Sequence, residues 1–81
     1  MSSEYIEAPL PGVFYRRPDP DEDVFVEVGD SVAKGDTVAL IGVMKNFNQV
    51  PSPFNGTIVE VLVEDEAEIE ASDPLFEIET N

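Results

Sequence analysis

Short apolar runs bounded by turn-forming residues dominate the hydrophobic pattern of this chain. Residues 24–28 and 57–63 are clear examples, because both are rich in the valine, isoleucine, phenylalanine and threonine that favour strands. Residues 64–71 have a helix-forming composition, but their apolar side chains recur at every second position and make no helical stripe. We therefore expect strands at 24–28 and 57–63, a turn and then a strand at 64–71, and no helix.

Turn-forming residues divide the chain into about eight short segments. They occur at Gly12 and at residues 29–30, 34–36, 55–56 and 72–74. Strands this short pack best as two small sheets laid face to face. The predicted fold class is all-β, a flattened barrel or sandwich of two four-stranded antiparallel sheets.

The second half of the pattern repeats the first. At a shift of 37 positions, like residues coincide: Val26 with Val63, Val32 with Ile69, Asp36 with Asp73, Val38 with Leu75, and Ile41 with Ile78. Residues 8–12 resemble residues 52–56 at a shift of 44, so the first half carries seven extra residues between Gly12 and Val26. Such a repeat predicts quasi-two-fold symmetry between the halves.

The extra residues fall in or beside residues 15–23, which hold two prolines and charges of both signs. Because proline donates no hydrogen bond to a sheet, this stretch is expected to protrude as a loop. A tolerated surface insertion is the open alternative to a functional loop. In that case its two arginines would form only weak surface ion pairs. The loop's candidate residues are Tyr15, Arg16, Arg17, Pro18, Asp19 and Pro20.

Length and composition exclude many functions. We expect one domain, spanning residues 1–81, because a chain of this length buries only one small core. Cysteine and histidine are absent, which excludes disulfides, thiol nucleophiles, thiolate or imidazole metal sites, and the commonest general base. We expect no metal site. An independent enzyme is the weakest interpretation, since there is also no Gly-rich phosphate loop and no Gly-x-Ser-x-Gly elbow.

The net charge of −14 comes from 18 acidic and 4 basic residues. Its field repels phosphate backbones and anionic lipid, so we expect neither nucleic-acid nor membrane partners. A solubilising acidic surface, such as one adapted to high salt, explains the charge most simply, and a basic partner surface is the alternative. Residues 64–66 are expected to form a solvated acidic turn. No apolar run approaches the ~20 residues of a membrane span and residues 1–5 lack a secretory signal, so the expected location is the cytoplasm.

Lys45 is one of two lysines and lies at the seam between the two halves. A solvated charge is the ordinary interpretation of a lysine in a turn. However, Val43, Met44 and Phe47 flank it, although turns normally recruit Gly, Asn, Asp or Pro. Since the counterpart of this turn falls just past Asn81, both termini are expected at the opposite pole of the molecule. We therefore hypothesise that Lys45 is a covalent attachment point.

These residues resemble the biotinyl and lipoyl carrier domains, in which a modified lysine lies at a hairpin tip between two quasi-symmetric halves. The biotinyl signature Glu-Ala-Met-Lys-Met reads here Gly42-Val43-Met44-Lys45-Asn46, whereas the lipoyl branch usually has Asp-Lys. Within the family, residues 12–20, 25–32, 48–50, 56–58 and 73–75 resemble the biotin carboxyl carrier proteins of bacterial acetyl-CoA carboxylases. The seven-residue insertion then corresponds to that subfamily's thumb. Gly42, Val43 and Asn46 depart from the usual glutamate, alanine and methionine.

The resemblance implies a non-catalytic carrier with the hammerhead fold of this family. A biotin protein ligase would join biotin to Lys45, with Val43, Met44 and Asn46 forming the recognised hairpin and the thumb contacting the biotin ring. A biotin carboxylase subunit would carboxylate the ureido nitrogen. A carboxyltransferase subunit would then pass the carboxyl group to acetyl-CoA or another acceptor, as in fatty acid synthesis. The subfamily's N-terminal extension and linker have no counterpart here, so we expect docking through the domain's own surface or a borrowed partner.

Two alternatives of other kinds stay open. An unmodified scaffold or binding domain of the same fold is supported by Gly42 and Asn46, which depart from the signature. A lipoyl carrier would use the same lysine to shuttle acyl or aminomethyl groups, but Met44 and the thumb argue against it.

Overall fold

The computed structural model describes residues 2–19 and 21–80. Within these residues there are eight strands and no helix, and the strands form two four-stranded antiparallel sheets, which confirms the predicted fold class. The strands are β1 Ser2–Glu7, β2 Gly12–Tyr15, β3 Ser31–Val32, β4 Thr37–Val43, β5 Asn46–Pro51, β6 Gly56–Val61, β7 Glu68–Ile69 and β8 Pro74–Thr80.

The order of strands in the two sheets reproduces the sequence repeat. One sheet has the order β1-β8-β6-β3 and the other β5-β4-β2-β7. A shift of 44 carries β1 onto β5 and the start of β2 onto the start of β6, and a shift of 37 carries β3 onto β7 and β4 onto β8. Exchanging the halves therefore converts one sheet into the other, as the predicted quasi-two-fold symmetry requires.

Equivalent positions of the two halves fill the core between the sheets. Ile6 and Val50 are both buried, as are Ile41 and Ile78. In the same core the rings of Phe14 and Phe76, which the repeat does not relate, meet edge to face with centroids 5.8 Å apart. Burying each such side chain stabilises the fold by about 1.5–3 kcal/mol. With no disulfide available, this doubled core holds the sheets together.

Two equivalent glycines begin strands where another backbone passes closely. A Cβ on Gly12 would come within 2.5 Å of the carbonyl oxygen of Gly42, and a Cβ on Gly56 would overlap the carbonyl of Glu79. Gly42 and Glu79 are themselves related by the shift of 37. Side chains at these two positions would separate the strands, so both halves keep glycine there.

Residues 24–28 are not a strand, so that prediction was wrong. Their β-branched composition suits a sheet, but the chain makes only isolated hydrogen bonds here: the Phe25 amide donates to the Arg16 carbonyl at 2.8 Å and the Asp30 amide donates to the Glu27 carbonyl at 3.0 Å. The loop of the insertion and the turn at Asp30 leave no neighbouring strand along this segment. Val26 is buried nonetheless.

The second predicted strand, at residues 57–63, is largely confirmed by β6. β6 ends at Val61, two residues before the predicted end, and its pairing with β8 shifts register between Ile58 and Glu60. The turn and strand predicted within residues 64–71 are confirmed, because a turn precedes β7.

The described ends of the chain lie side by side, since Ser2 pairs with Thr80. From Lys45, β5 and the loop after it lead to Gly56, which also pairs with Thr80. The ends therefore lie at the pole opposite the Lys45 turn in a molecule 38 Å long, as predicted. The counterpart of that turn would start beyond Thr80, outside the described residues.

Candidate functional site

A two-residue hairpin joins β4 to β5. Val43 pairs with Asn46 across it, which leaves Met44 and Lys45 as the turn. Met44 has a φ of 58°, in a region that glycine occupies readily and side chains such as methionine occupy at a cost of about 1–3 kcal/mol. The sequence thus keeps a bulky apolar residue where glycine would fold more easily.

The tip of the hairpin is open to solvent. Met44 is 100% exposed, so it does not act as packing filler, and Lys45 and Asn46 are exposed beside it. Among residues 2–19 and 21–80, the structure shows no ion pair and no hydrogen bond for the Lys45 side chain. Val43 differs from its neighbours, because it is half-buried and packs against the core.

The loop predicted at residues 15–23 begins one residue later than predicted, because Tyr15 is the last residue of β2 and pairs with Leu40. Its described residues are held by hydrogen bonds of their own. Its base is closed where Phe25 donates to the Arg16 carbonyl and where Arg16 Nη2 donates to the Val26 carbonyl at 3.2 Å. Near its tip, Asp19 Oδ1 accepts from the Asp21 amide at 3.1 Å, as in an Asx turn. Pro20 lies outside the described residues. We call residues 15–23 the thumb.

Asp65 anchors the thumb to the rest of the fold. Its Oδ1 accepts a hydrogen bond from the Arg16 amide at 2.9 Å, and its Oδ2 lies 3.9 Å from Arg17 Nε. The sequence interpretation treated residues 64–66 only as a solvated acidic turn and missed this role. Asp65 is 49 positions from Arg16, and no local pattern marks the pair.

The base of the thumb meets the strand that carries the hairpin. The rings of Tyr15 and Phe47 lie edge to face with centroids 5.5 Å apart, and Phe47 pairs with Gly42. A Cβ on Gly42 would lie 2.9 Å from Tyr15 Cε2 and 3.5 Å from Phe47 Cε1, so the missing side chain leaves room for the two rings. Phe47, which was noted in the sequence only as a neighbour of Lys45, is therefore part of the site.

A cleft of about 350 Å³ opens between the thumb, β5 and the turn before β7. One guanidinium, three carboxylates and two aromatic rings line it. Its lining residues are Tyr15, Arg17, Pro18, Asp19, Phe47, Asp65 and Glu66. Arg16 is not among them, since its guanidinium is turned to the Val26 carbonyl.

The structure brings most of the predicted site residues together. Met44, Lys45 and Asn46 form the exposed tip, and four of the six thumb residues line the adjacent cleft. Within the described part of the chain, no three acidic side chains are arranged to hold a metal ion, and no helix is long and apolar enough to cross a membrane. The arrangement offers an exposed amine beside a polar, aromatic-walled cleft.

Comparisons with known proteins find relatives that match most of the chain. Residues 4–78 match the family described as "Biotin-requiring enzyme". The chain is 45% identical over 75 residues to a biotin carboxyl carrier protein of acetyl-CoA carboxylase from Streptococcus pyogenes, covering 93% of this chain and 45% of the relative. A chloroplastic protein of the same name from Glycine max is 43% identical over 74 residues, covering 91% of this chain and 28% of that protein. The chain thus spans less than half the length of either relative.

A solved structure shows the same fold. The crystal structure of the Kluyveromyces lactis urea carboxylase superposes with a TM-score of 0.77 at 26% identity, over 96% of this chain and 6% of that one. A segment of a much larger carboxylase therefore has the architecture described above.

Proposed function

The chain belongs to the family of biotin-requiring enzymes, the biotinyl and lipoyl domains, and on that premise we propose that residues 1–81 are a single biotin carrier domain with Lys45 as its attachment point. The observation that carries the proposal is the hairpin: Lys45 is exposed at its tip, beside a fully exposed Met44, and has no ion pair within the described residues. An amine so placed is accessible to a modifying enzyme.

Attachment requires an enzyme that supplies what this chain lacks. A biotin protein ligase would present biotin as its adenylate, the uncharged Lys45 amine would attack the acyl carbon, and an amide would form with release of AMP. The chain has no histidine to remove the proton from the ammonium group. Deprotonation and alignment are therefore the ligase's work.

Met44 is the residue that such a ligase is best placed to recognise. It is fully exposed and held at a positive φ that costs the fold stability, which a simple connecting turn would avoid with glycine. Asn46 lies across from Val43 at the start of β5 and is exposed as well. We propose that the ligase contacts Met44 and Asn46, whereas Val43 packs against the core at the base of the hairpin.

Once attached, biotin supplies a ureido nitrogen that takes up a carboxyl group and gives it to an acceptor. The domain positions that group and performs no chemistry itself, which makes it a non-catalytic subunit. Its described ends, Ser2 and Thr80, lie at the pole opposite Lys45, so a chain held there presents the lysine at the far end. Tethering raises the local concentration of the carried group to roughly millimolar for short linkers.

The partners are proposed from the relatives' names. Two relatives are carriers of acetyl-CoA carboxylase, so we propose a biotin carboxylase and a carboxyltransferase subunit as the enzymes between which this domain moves, with acetyl-CoA as the acceptor. The thumb is proposed to contact the biotin ring, because its residues line the cleft beside Phe47, two positions after Lys45.

Carrier function is tested by following a labelled carboxyl group. The biotinylated chain is incubated with biotin carboxylase, ATP and ¹⁴C-bicarbonate, and label on the protein is measured before and after addition of carboxyltransferase and acetyl-CoA. We expect label that leaves the protein for the acceptor, with none on Lys45→Arg and normal label on Lys34→Arg. Lys34 is the matched control because it is the other lysine and is also exposed. Label retained by Lys45→Arg would refute the assignment.

A further inference from the structure

The cleft beside the hairpin has an unequal balance of charge. Arg17 is its single cation, and Asp19, Asp65 and Glu66 are its three carboxylates, so the lining carries a net charge of −2. Arg17 is held in place by its neighbours, since its Nη1 donates to the Glu22 carbonyl at 3.5 Å and its Nε, which has no hydrogen-bond partner among the described residues, lies 3.9 Å from Asp65 Oδ2. The carboxylates of Asp19 and Glu66 remain without a cation among the lining residues.

Modification of Lys45 makes the surroundings still more negative. Forming an amide removes the ammonium charge of Lys45, one of four basic residues in the chain, and changes the net charge from −14 to −15. Phe47 lies in the cleft wall only two residues beyond Lys45, about 7 Å along an extended strand. A group on a long arm from Lys45 therefore samples the cleft in a strongly negative field.

The lining suits one kind of ligand and opposes another. The rings of Tyr15 and Phe47 offer an apolar wall, the carboxylates accept hydrogen bonds, and the guanidinium of Arg17 donates them. An uncharged cyclic urea has N–H donors, a carbonyl acceptor and an apolar ring body, so it complements all three. A carboxylate on one of its nitrogens replaces a donor by a negative charge, in a cleft whose lining already carries a net charge of −2.

We propose that the thumb cleft discriminates by charge: it holds the group tethered to Lys45 while that group is uncharged and excludes it once the group bears a carboxylate. The proposal rests on the proposed function and goes beyond it. A carrier whose tethered group has no carboxylate then keeps its arm against the thumb. A carrier whose group has been carboxylated extends the arm towards the next enzyme. Across about 7 Å of water, the weakest case, a net charge of −2 disfavours an added negative charge by about tenfold.

A tethered probe tests this directly, because the chain contains no cysteine and Lys45→Cys supplies a unique thiol. Two labels with the same linker are attached in turn, one ending in an uncharged cyclic urea and the other in the same ring bearing a carboxylate. Backbone amide chemical shifts of Phe47, Asp65 and Glu66 report occupancy of the cleft. We expect shifts with the uncharged ring, and a docked fraction about tenfold lower with the anionic ring.

Charge removal within the cleft provides the decisive comparison. In Asp19→Asn with Glu66→Gln, the anionic ring is expected to dock nearly as well as the uncharged ring. The matched control is Glu4→Gln with Glu79→Gln, which removes the same charge from β1 and β8 of the opposite sheet and is expected to leave the discrimination intact. A wild-type cleft that binds both rings equally, or neither, would overturn the proposal, as would equal effects of the two double variants.

This outcome is separable from the carrier assignment. The probe is attached through a thiol and needs no ligase, so it reports on the cleft even if Lys45 is never biotinylated. Conversely, biotinylation of Lys45 without charge discrimination would leave the carrier function standing and remove only the charge-selective role of the cleft.

Discussion

Single residues in this chain show where the requirements of folding and of the proposed function differ. Met44 takes a positive φ that suits glycine and exposes its whole side chain to water. The positive φ costs stability, the exposed side chain contributes no burial energy, and neither feature helps the turn to connect its strands. Gly42 is the opposite case, a small residue that helps to form the site. Its missing side chain makes room for the rings of Tyr15 and Phe47 at the cleft. Sequence comparison with the family marks Gly42 as unusual, but only the structure shows what the change allows.

Met44→Gly should separate stability from recognition. We expect the free energy of unfolding to stay equal or rise by about 1 kcal/mol, since glycine relieves the positive φ. The rate of biotinylation should fall by tenfold or more, because burying a methionine in an enzyme pocket is worth about 1.5–3 kcal/mol. Thermal unfolding and the initial rate of ligation measure the two effects. A variant that is biotinylated at the normal rate would show that Met44 is not recognised.

Elements of the fold follow the repeat, with the thumb as the exception. The two shifts predicted which strands correspond, and the sheet orders agree because equivalent halves bury equivalent faces. The segment at 24–28 was misjudged, since composition reports a preference for strands but does not show whether a neighbouring strand exists. The anchoring of the thumb by Asp65 was missed because it joins residues 49 positions apart. Contacts of that kind have no local sequence signal.

The repeat also predicts the effect of exchanging residues between equivalent turns. Gly29 and Gly35 have positive φ values in the first half, and Glu66 and Ser72, 37 positions later, have φ values of 67° and 73° in the second. Ser72→Gly should therefore stabilise the fold by about 1 kcal/mol, or about 4–8 °C in Tm.

Gly35→Ser is the matched reverse change and should destabilise the fold by about 1–2 kcal/mol, because Gly35 has a φ of 96°. Denaturant unfolding of both variants compares them directly. Equal signs for the two substitutions would contradict the equivalence of the turns.

Removal of the Asp65 carboxylate should loosen the thumb. In Asp65→Ala the Arg16 amide loses its acceptor, so its hydrogen exchange should accelerate by tenfold or more, as expected for a lost hydrogen bond to a charged group worth about 1.5–3 kcal/mol. The ion pair with Arg17 adds little, about 0–1 kcal/mol, since both side chains are partly exposed. Glu64→Ala, in the same acidic turn, is the control and should leave this amide protected. Unchanged exchange in Asp65→Ala would rule out the anchor.

The whole molecule is a small double-sheet scaffold with an excess of negative charge. Composition gives that excess and excludes thiol and imidazole chemistry, and the repeat predicted that the described ends of the chain lie opposite Lys45. The cleft was not predictable, since it forms where the thumb, β5 and the turn before β7 meet. Its seven lining residues come from three separate parts of the sequence.

The net charge of −14 should make stability depend on salt. Carboxylates repel one another in the folded state, and the Debye length falls from about 30 Å at 0.01 M salt to about 8 Å at 0.15 M, so added salt screens this repulsion. We expect Tm to rise by several degrees between low and physiological ionic strength. Thermal scans in NaCl and in KCl should give similar curves of Tm against salt concentration. Glycerol at the same osmolarity adds no ions and should not reproduce the rise in Tm. A flat salt dependence would show that the charges are too well dispersed to matter.

Intact mass is the most direct test of the central claim that Lys45 is an exposed attachment point. The wild-type chain, co-expressed with the biotin ligase of its own cell, is predicted to gain the mass of one biotin amide, and Lys34→Arg is predicted to gain the same. Lys45→Arg is predicted to gain nothing while keeping its Tm. A lipoyl adduct in place of biotin, a gain that persists in Lys45→Arg, or no gain in any of the three chains would contradict the account.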